Sequence, residues 1–138
     1  MRNFQDRVKI AMFTDSSSID ADTTGYTTSN EVSGTAYTAG GNTLASVTLA
    51  LADNSSSVPT AYLDFADSTW STSTISSARG ALIYNSTLSS AGTGSTTNHA
   101  ADPAVAVINF GGDKSSSAGD FTIQFPANDA NNAIIRIA

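Results

Sequence analysis

This sequence predicts an all-β chain: an antiparallel β-sandwich, jelly-roll- or Ig-like, or a small barrel, with an extended N-terminal arm. Three observations predict it. Ser and Thr make up 39 of the 138 residues, while the charged fraction is 13 %, about half the ~25 % usual in soluble domains. The long Glu, Lys and Gln side chains that clothe helices are nearly absent, and β-branched threonine suits an exposed strand face. Apolar residues recur with period two in short runs between clusters of Gly, Asn, Asp and Ser, the signature of half-buried strands joined by turns.

Each element follows from that pattern. "VKIAMF" reads as a strand and "TDSSSIDADTTGYTTSN" as a long polar arm or loop. Residues 1–30 are therefore expected to be an arm or first strand plus a polar loop, and 31–138 the sandwich domain. Val47, Leu49 and Leu51 share one strand face, with Thr48 and small alanines on the other; Leu63 and Phe65 alternate with Tyr62 and Asp64. Leu82, Ile83 and Tyr84 form an apolar run suited to a strand buried on both faces. Val105 and Val107 oppose Ile108 and Phe110. Phe121, Ile123 and Phe125 align before Pro126 ends their strand, and "AIIRIA" supplies another strand. Turns are expected at "TAGGNT" and "ADNSSSVP", an exposed loop over Ser86–Asp102, and a hairpin connection at "GGDKSSSAGD". A helical turn has one opening, "ADSTWSTST", and is not favoured there.

Composition also restricts function. The net charge is −6, with six Lys and Arg spread along the chain, so there is no basic stripe to neutralise a nucleic-acid backbone. An acidic balance keeps abundant copies soluble and mutually repelled. Without cysteine there is no disulfide framework. "MRNFQDRVKIAMF" lacks the apolar core of a signal peptide, and no apolar run approaches the ~20 residues of a membrane span. The expectation is a soluble protein made in a cytoplasm.

Candidate sites are few. "FGGDKSSSAGDF" imitates a phosphate-binding loop, but Lys114 follows Asp113 where such a loop needs Gly, and a strand rather than a helix comes next. Its glycines suit a hairpin instead. Asp20, Asp22, Gly25 and Glu31 match positions 1, 3, 6 and 12 of a calcium loop. Thr24 and Thr27 depart from that pattern and the flanks are not helical, so an acidic surface loop is expected, with no metal and no cofactor. His99 is the single histidine, in the most loop-like stretch. Asp64 and Asp67 imitate a glycosidase pair, but strand and turn positions account for them. Phe65, Phe121 and Phe125 fall on apolar strand faces, so a sugar-binding use of the aromatics, with Trp70 or Tyr37 as contacts, is the lesser expectation. No enzyme is expected.

Taken together, "EVSGTAYTAGGNTL", "LDFADSTWS", "ARGALIYNS" and "VAVINFGGDKSSSAGDFTIQFP…IIRI" resemble small virion proteins of tailed bacteriophages, including cyanophages. The likeness runs from about Glu31 to the end of the sequence. It implies a capsid decoration (cement) protein on the virion surface, bridging neighbouring subunits of the major capsid protein and associating with itself, with a trimer favoured. A neck or tail ring component and a carbohydrate-binding adhesin module are the alternatives. In that setting the contact segment is expected at Arg2, Arg7, Val8, Lys9, Ile10 and Phe13. This stretch is locally basic, and its apolar residues suit strand addition to a partner's sheet. The competing expectation is that it forms the first strand of the domain itself.

Overall fold

The structure is a computed structural model and describes residues 8–88 and 100–138. The eight strands, β1 Val8–Thr14, β2 Gly34–Thr35, β3 Asn42–Thr43, β4 Thr48–Asp53, β5 Pro59–Asp64, β6 Ser68–Asn85, β7 Ala104–Ile123 and β8 Ile135–Ile137, are joined without a helix among the described residues. The expected antiparallel all-β class is what the structure has, and its sheets do not close into a barrel. The chain divides into two compact units, Met1–Thr43 with Trp70–Phe121, and Leu44–Thr69 with Thr122–Ala138.

The first unit is built on β1. That strand pairs with β6 along its whole length, from Val8 opposite Asn85 to Thr14 opposite Ala78, with an irregularity after Phe13. Its other edge meets β3 through Lys9 and Ile10, and then Glu31 and Val32, where the Val32 N–H donates to the Met12 carbonyl. β1 is thus an interior strand of its sheet, and burial shows that both of its faces are covered as well. Val8, Ile10, Ala11, Met12 and Phe13 are all fully buried, as are Ala81, Leu82 and Ile83 of β6. The apolar run of residues 81–84 is thus a strand buried on both faces, as its sequence suggests. Ala11 and Phe13 pack with Leu82 and Tyr84 beneath Ile19, Tyr26 and Val107. Burial on this scale is worth ~1.5–3 kcal/mol for each large side chain. Gly41 is obligatory at the crossing: its φ is +72° and a Cβ there would lie 1.8 Å from the Ile10 carbonyl oxygen.

The long ribbon of β6 and β7 differs from expectation. "GGDKSSSAGD" does not turn a hairpin; it lies inside β7, which runs unbroken from Ala104 to Ile123 beside β6. The "ADSTWSTST" stretch is strand as well, and its Trp70 is buried. The glycines make a bulge instead of a reversal. Between the Arg79–Asp113 pair and the Asn85-to-Pro103 hydrogen bond, β6 advances six residues while β7 passes ten. The excess is taken up near Gly111, whose φ is +75° and whose N–H donates to Asn109 Oδ1 at 2.8 Å.

Farther along the ribbon, side chains replace missing ladder bonds. The Ser77 N–H donates to Ser115 Oγ (3.0 Å), Ile75 to Ser116 Oγ (3.2 Å), and Thr72 to Asp120 Oδ1 (3.0 Å). From β7, the Ala118 N–H donates to Thr74 Oγ1 at 3.1 Å. Thr72, Ser77 and Ala118 all have positive φ, an unfavourable setting for side-chain-bearing residues. A backbone so bent cannot keep a regular ladder, and short hydroxyl side chains reach the orphaned N–H groups. The high Ser and Thr content is thereby explained along this ribbon.

The second unit holds a three-stranded sheet in the order β4, β5, β8. Its β4–β5 connection is the expected turn, with Asn54 Oδ1 accepting from the Ser56 and Val58 N–H groups. The two faces of this sheet are not sorted by hydrophobicity: Leu63 is buried on the face that carries the exposed Leu49 and Leu51. Thr60 and Asp64 are fully buried, and the segment 127–134 crosses their side, with Asn128 donating to Thr48 and the Ser55 N–H donating to Asn131. Asp129 holds that segment in a turn by accepting from Asn131 and Asn132, which keeps its carboxyl below the usual range, Asn132 being the larger cause. On the opposite face Leu49 and Leu51 are 65 % and 72 % exposed, and Ile137 is 71 % exposed.

Candidate functional site

A polar cluster with four aromatic rings surrounds Glu31, the only glutamate of the chain. The extended backbone after the loop bridges Glu31 to Phe13 of β1, which aims the carboxylate along the sheet toward the turn before β3. There Oε1 accepts from the Tyr37 hydroxyl (2.7 Å) and the Gly40 N–H (2.8 Å), and Oε2 accepts from the Tyr26 hydroxyl at 2.5 Å. The Tyr37 oxygen in turn accepts from the Met12 N–H, and the Tyr84 hydroxyl donates to the Gly40 carbonyl. Tyr26 stacks on Tyr84 with centroids 4.6 Å apart, and Tyr37 on Trp70 at 5.8 Å. Burial, then the hydrogen bond to Glu31, raises the Tyr26 and Tyr37 phenols well above their ordinary range. Burial, then the charge of Glu31, does the same to Tyr84.

This cluster is a clamp. Its carboxylate is saturated by donors from the 26–40 segment, and its rings close over the Ala11–Phe13 face of the core. Motif reasoning missed it because it looked for Glu31 beside Asp20 and Asp22. The available signal was a lone glutamate with tyrosines five residues before and six after it.

The structure does not assemble the calcium loop. Asp20 caps its own turn, accepting from the Asp22 N–H at 2.9 Å, while Glu31 is taken up by the tyrosines. Among the described residues no three His, Cys, Asp or Glu side chains stand close enough to hold a metal ion. The physical reason is the absence of the two helices that would curl such a loop around a cation.

The proposed contact strand is corrected too. Val8, Ile10 and Phe13 are fully buried inside β1, and Ile10 and Phe13 are paired on both edges, so no side chain of the three is offered to a partner. Lys9 is half-buried; Arg2 and Arg7 lie outside the described residues.

Other candidates disperse. Asp64 is fully buried with one oxygen on the Phe65 N–H, and Asp67 accepts from the Phe125 N–H. Trp70 is 3 % exposed and packs edge-on to Phe121, so it presents no ring to a sugar. His99 lies outside the described residues. Asp113, beside the lysine of the phosphate-loop mimic, accepts from Arg79 Nε at 2.7 Å. Of the clefts, one of about 200 Å³ lies beside Arg79 and Asp15, which stand 3.7 Å apart. Another of about 360 Å³ has Arg136 as its one charged lining residue. No helix among the described residues is long and apolar enough to cross a membrane.

Compared with protein-family models, with curated proteins and with solved structures, the chain matches none.

Proposed function

We propose that this protein is a non-enzymatic structural component of a tailed-phage virion, a capsid cement or decoration protein that bridges and stabilises neighbouring coat subunits. The support is the set of phrases that resemble small virion proteins, together with the part those phrases play in the fold. "EVSGTAYTAGGNTL" supplies Glu31, Tyr37 and the Gly41 crossing, and "ARGALIYNS" supplies the two-face-buried end of β6. "VAVINFGGDKSSSAGDFTIQFP" covers nearly all of β7. The observation that carries the reading is that the resembling residues build the framework: their polar groups zip strands and clamp turns, which suits a mechanical part. Many weak contacts on a coat lattice would supply affinity by avidity.

The test is the absolute mass of the purified protein by light scattering, followed by binding to empty heads. A trimer that binds heads is expected. A hexamer or dodecamer would transfer the reading to a neck or tail ring. A monomer that ignores heads and binds glycans would replace it with an adhesin.

A further inference from the structure

We propose that the exposed apolar face of the β4–β5–β8 sheet is the surface through which copies of this chain associate. The inference rests on the self-association in the reading above, and not on which part of a particle the protein occupies.

The register defines the face. Leu51, Ala61 and Ile137 lie opposite one another across the three strands, and Leu49, Leu63 and Ile135 form the adjacent row, in which Leu63 is itself buried and Ile135 half-buried. Leu49, Leu51 and Ile137 are each about two-thirds exposed or more. Three such side chains present roughly 400 Å² of apolar surface, the size of the largest patch on an ordinary monomer, which is often a functional one. A strand normally turns its leucines inward; in this one Thr48 and Ala50 are half-buried and Leu49 and Leu51 face outward. The face is also unprotected at its rim. In the sheet order, β4 is an edge strand, and its residues Thr48–Asp53 include no Lys, Pro or bulge of the kind that shields such edges.

Two observations select a further copy of the chain as the occupant. First, among the described residues the face carries one charge, Asp53 at the end of β4; Arg136 and Asp64 belong to the opposite face by strand alternation. A foreign partner of either sign has nothing to pair with across the patch. Copies placed around a rotation axis instead bring Leu49, Leu51 and Ile137 against their own equivalents, which needs no complementary surface. Second, the area is about half the ~800 Å² per partner of a standard interface. That suits subunits that meet weakly in solution and are held together by a lattice. The net charge of −6 opposes the contact, so salt should strengthen it by screening the repulsion.

The experiment is sedimentation equilibrium of the wild type, Leu49→Ser/Leu51→Ser and Ile137→Ser up to ~1 mM, at low and high salt, with a thermal unfolding scan of each. The wild type is expected to associate in the micromolar range or weaker, more tightly at high salt. The double variant should dissociate at least ~100-fold more readily, since both leucines are lost from every copy, and its unfolding midpoint should equal that of the wild type when both are scanned dilute enough to be monomeric. Ile137→Ser gives an independent reading, ~10-fold weaker, should the double variant not fold. An oligomer unaffected by all three substitutions overturns this surface and leaves self-assembly standing. A wild type still monomeric at ~1 mM, or one that dissociates as salt rises, overturns the inference. In the monomeric case, retained binding to empty heads keeps the cement reading, and loss of that binding in Leu49→Ser/Leu51→Ser assigns the face to the coat protein.

Discussion

Replacing Glu31 with alanine removes the acceptor for three donors at once: the Tyr26 and Tyr37 hydroxyls and the Gly40 N–H, at 2.5, 2.7 and 2.8 Å. A hydrogen bond to a charged group contributes ~1.5–3 kcal/mol net, and less where water reaches the pair. Glu31 and both tyrosines are only partly buried, so their hydroxyls recover some solvation in the variant. We therefore expect a loss of ~3 kcal/mol for Glu31→Ala. Glu31→Gln retains one oxygen for Tyr37 and Gly40 and an amide that can donate to Tyr26, and should cost ~1 kcal/mol. At about 4 °C per kcal/mol for a chain of this size, the melting temperatures fall by roughly 12 and 4 °C. Calorimetry together with urea unfolding followed by tyrosine and tryptophan fluorescence measures both. An alanine variant within ~0.5 kcal/mol of wild type would refute the clamp.

Four further outcomes follow from the same contacts. Because burial raises the Tyr26, Tyr37 and Tyr84 phenols, the fold favours their neutral forms. That contribution is whole below the unfolded value of ~10 and is lost as pH climbs beyond it. Phenolate absorbance from these three should rise together with loss of the circular-dichroism signal, and ionisation near pH ~10 in a still-folded protein would contradict the burial. Ser73→Ala deletes a fully buried hydroxyl bonded to Ser116 Oγ and the Gly119 carbonyl; denaturant unfolding should show a loss of ~1–2 kcal/mol. Ile10→Ala should cost ~2–5 kcal/mol of stability, whereas an accessible contact residue would change binding and leave unfolding unaltered. Gly41→Ala places a Cβ against the Ile10 carbonyl at a positive φ, and soluble expression should drop sharply beside a wild-type control.

The strand class and the core were legible because the period-two pattern is strong where faces differ, as at Phe121 and Ile123, and the unbroken run of residues 81–84 marks a strand covered on both sides. The β6–β7 ribbon was not legible. Gly111, Gly112 and three serines are turn chemistry by any local rule, and only the pairing with β6 converts them into a bulge with hydroxyl-to-backbone bonds. Nor was the exposure of Leu49 and Leu51. Period two placed Leu49 and Leu51 together, but alternation cannot say which face meets the unit's own interior. Glu31 was noticed for its spacing and misassigned, because its partners Tyr26 and Tyr37 are brought to it by the turn at residues 38–41 and by pairing with β1.

The most direct test of the cement reading is quantitative mass spectrometry of purified particles of a tailed phage whose genome carries this sequence, with antibody labelling to locate it. The account predicts many copies per particle, in a fixed ratio to the major capsid protein and on the head surface. Its absence from the particle, or a few copies confined to the neck or tail, would contradict it.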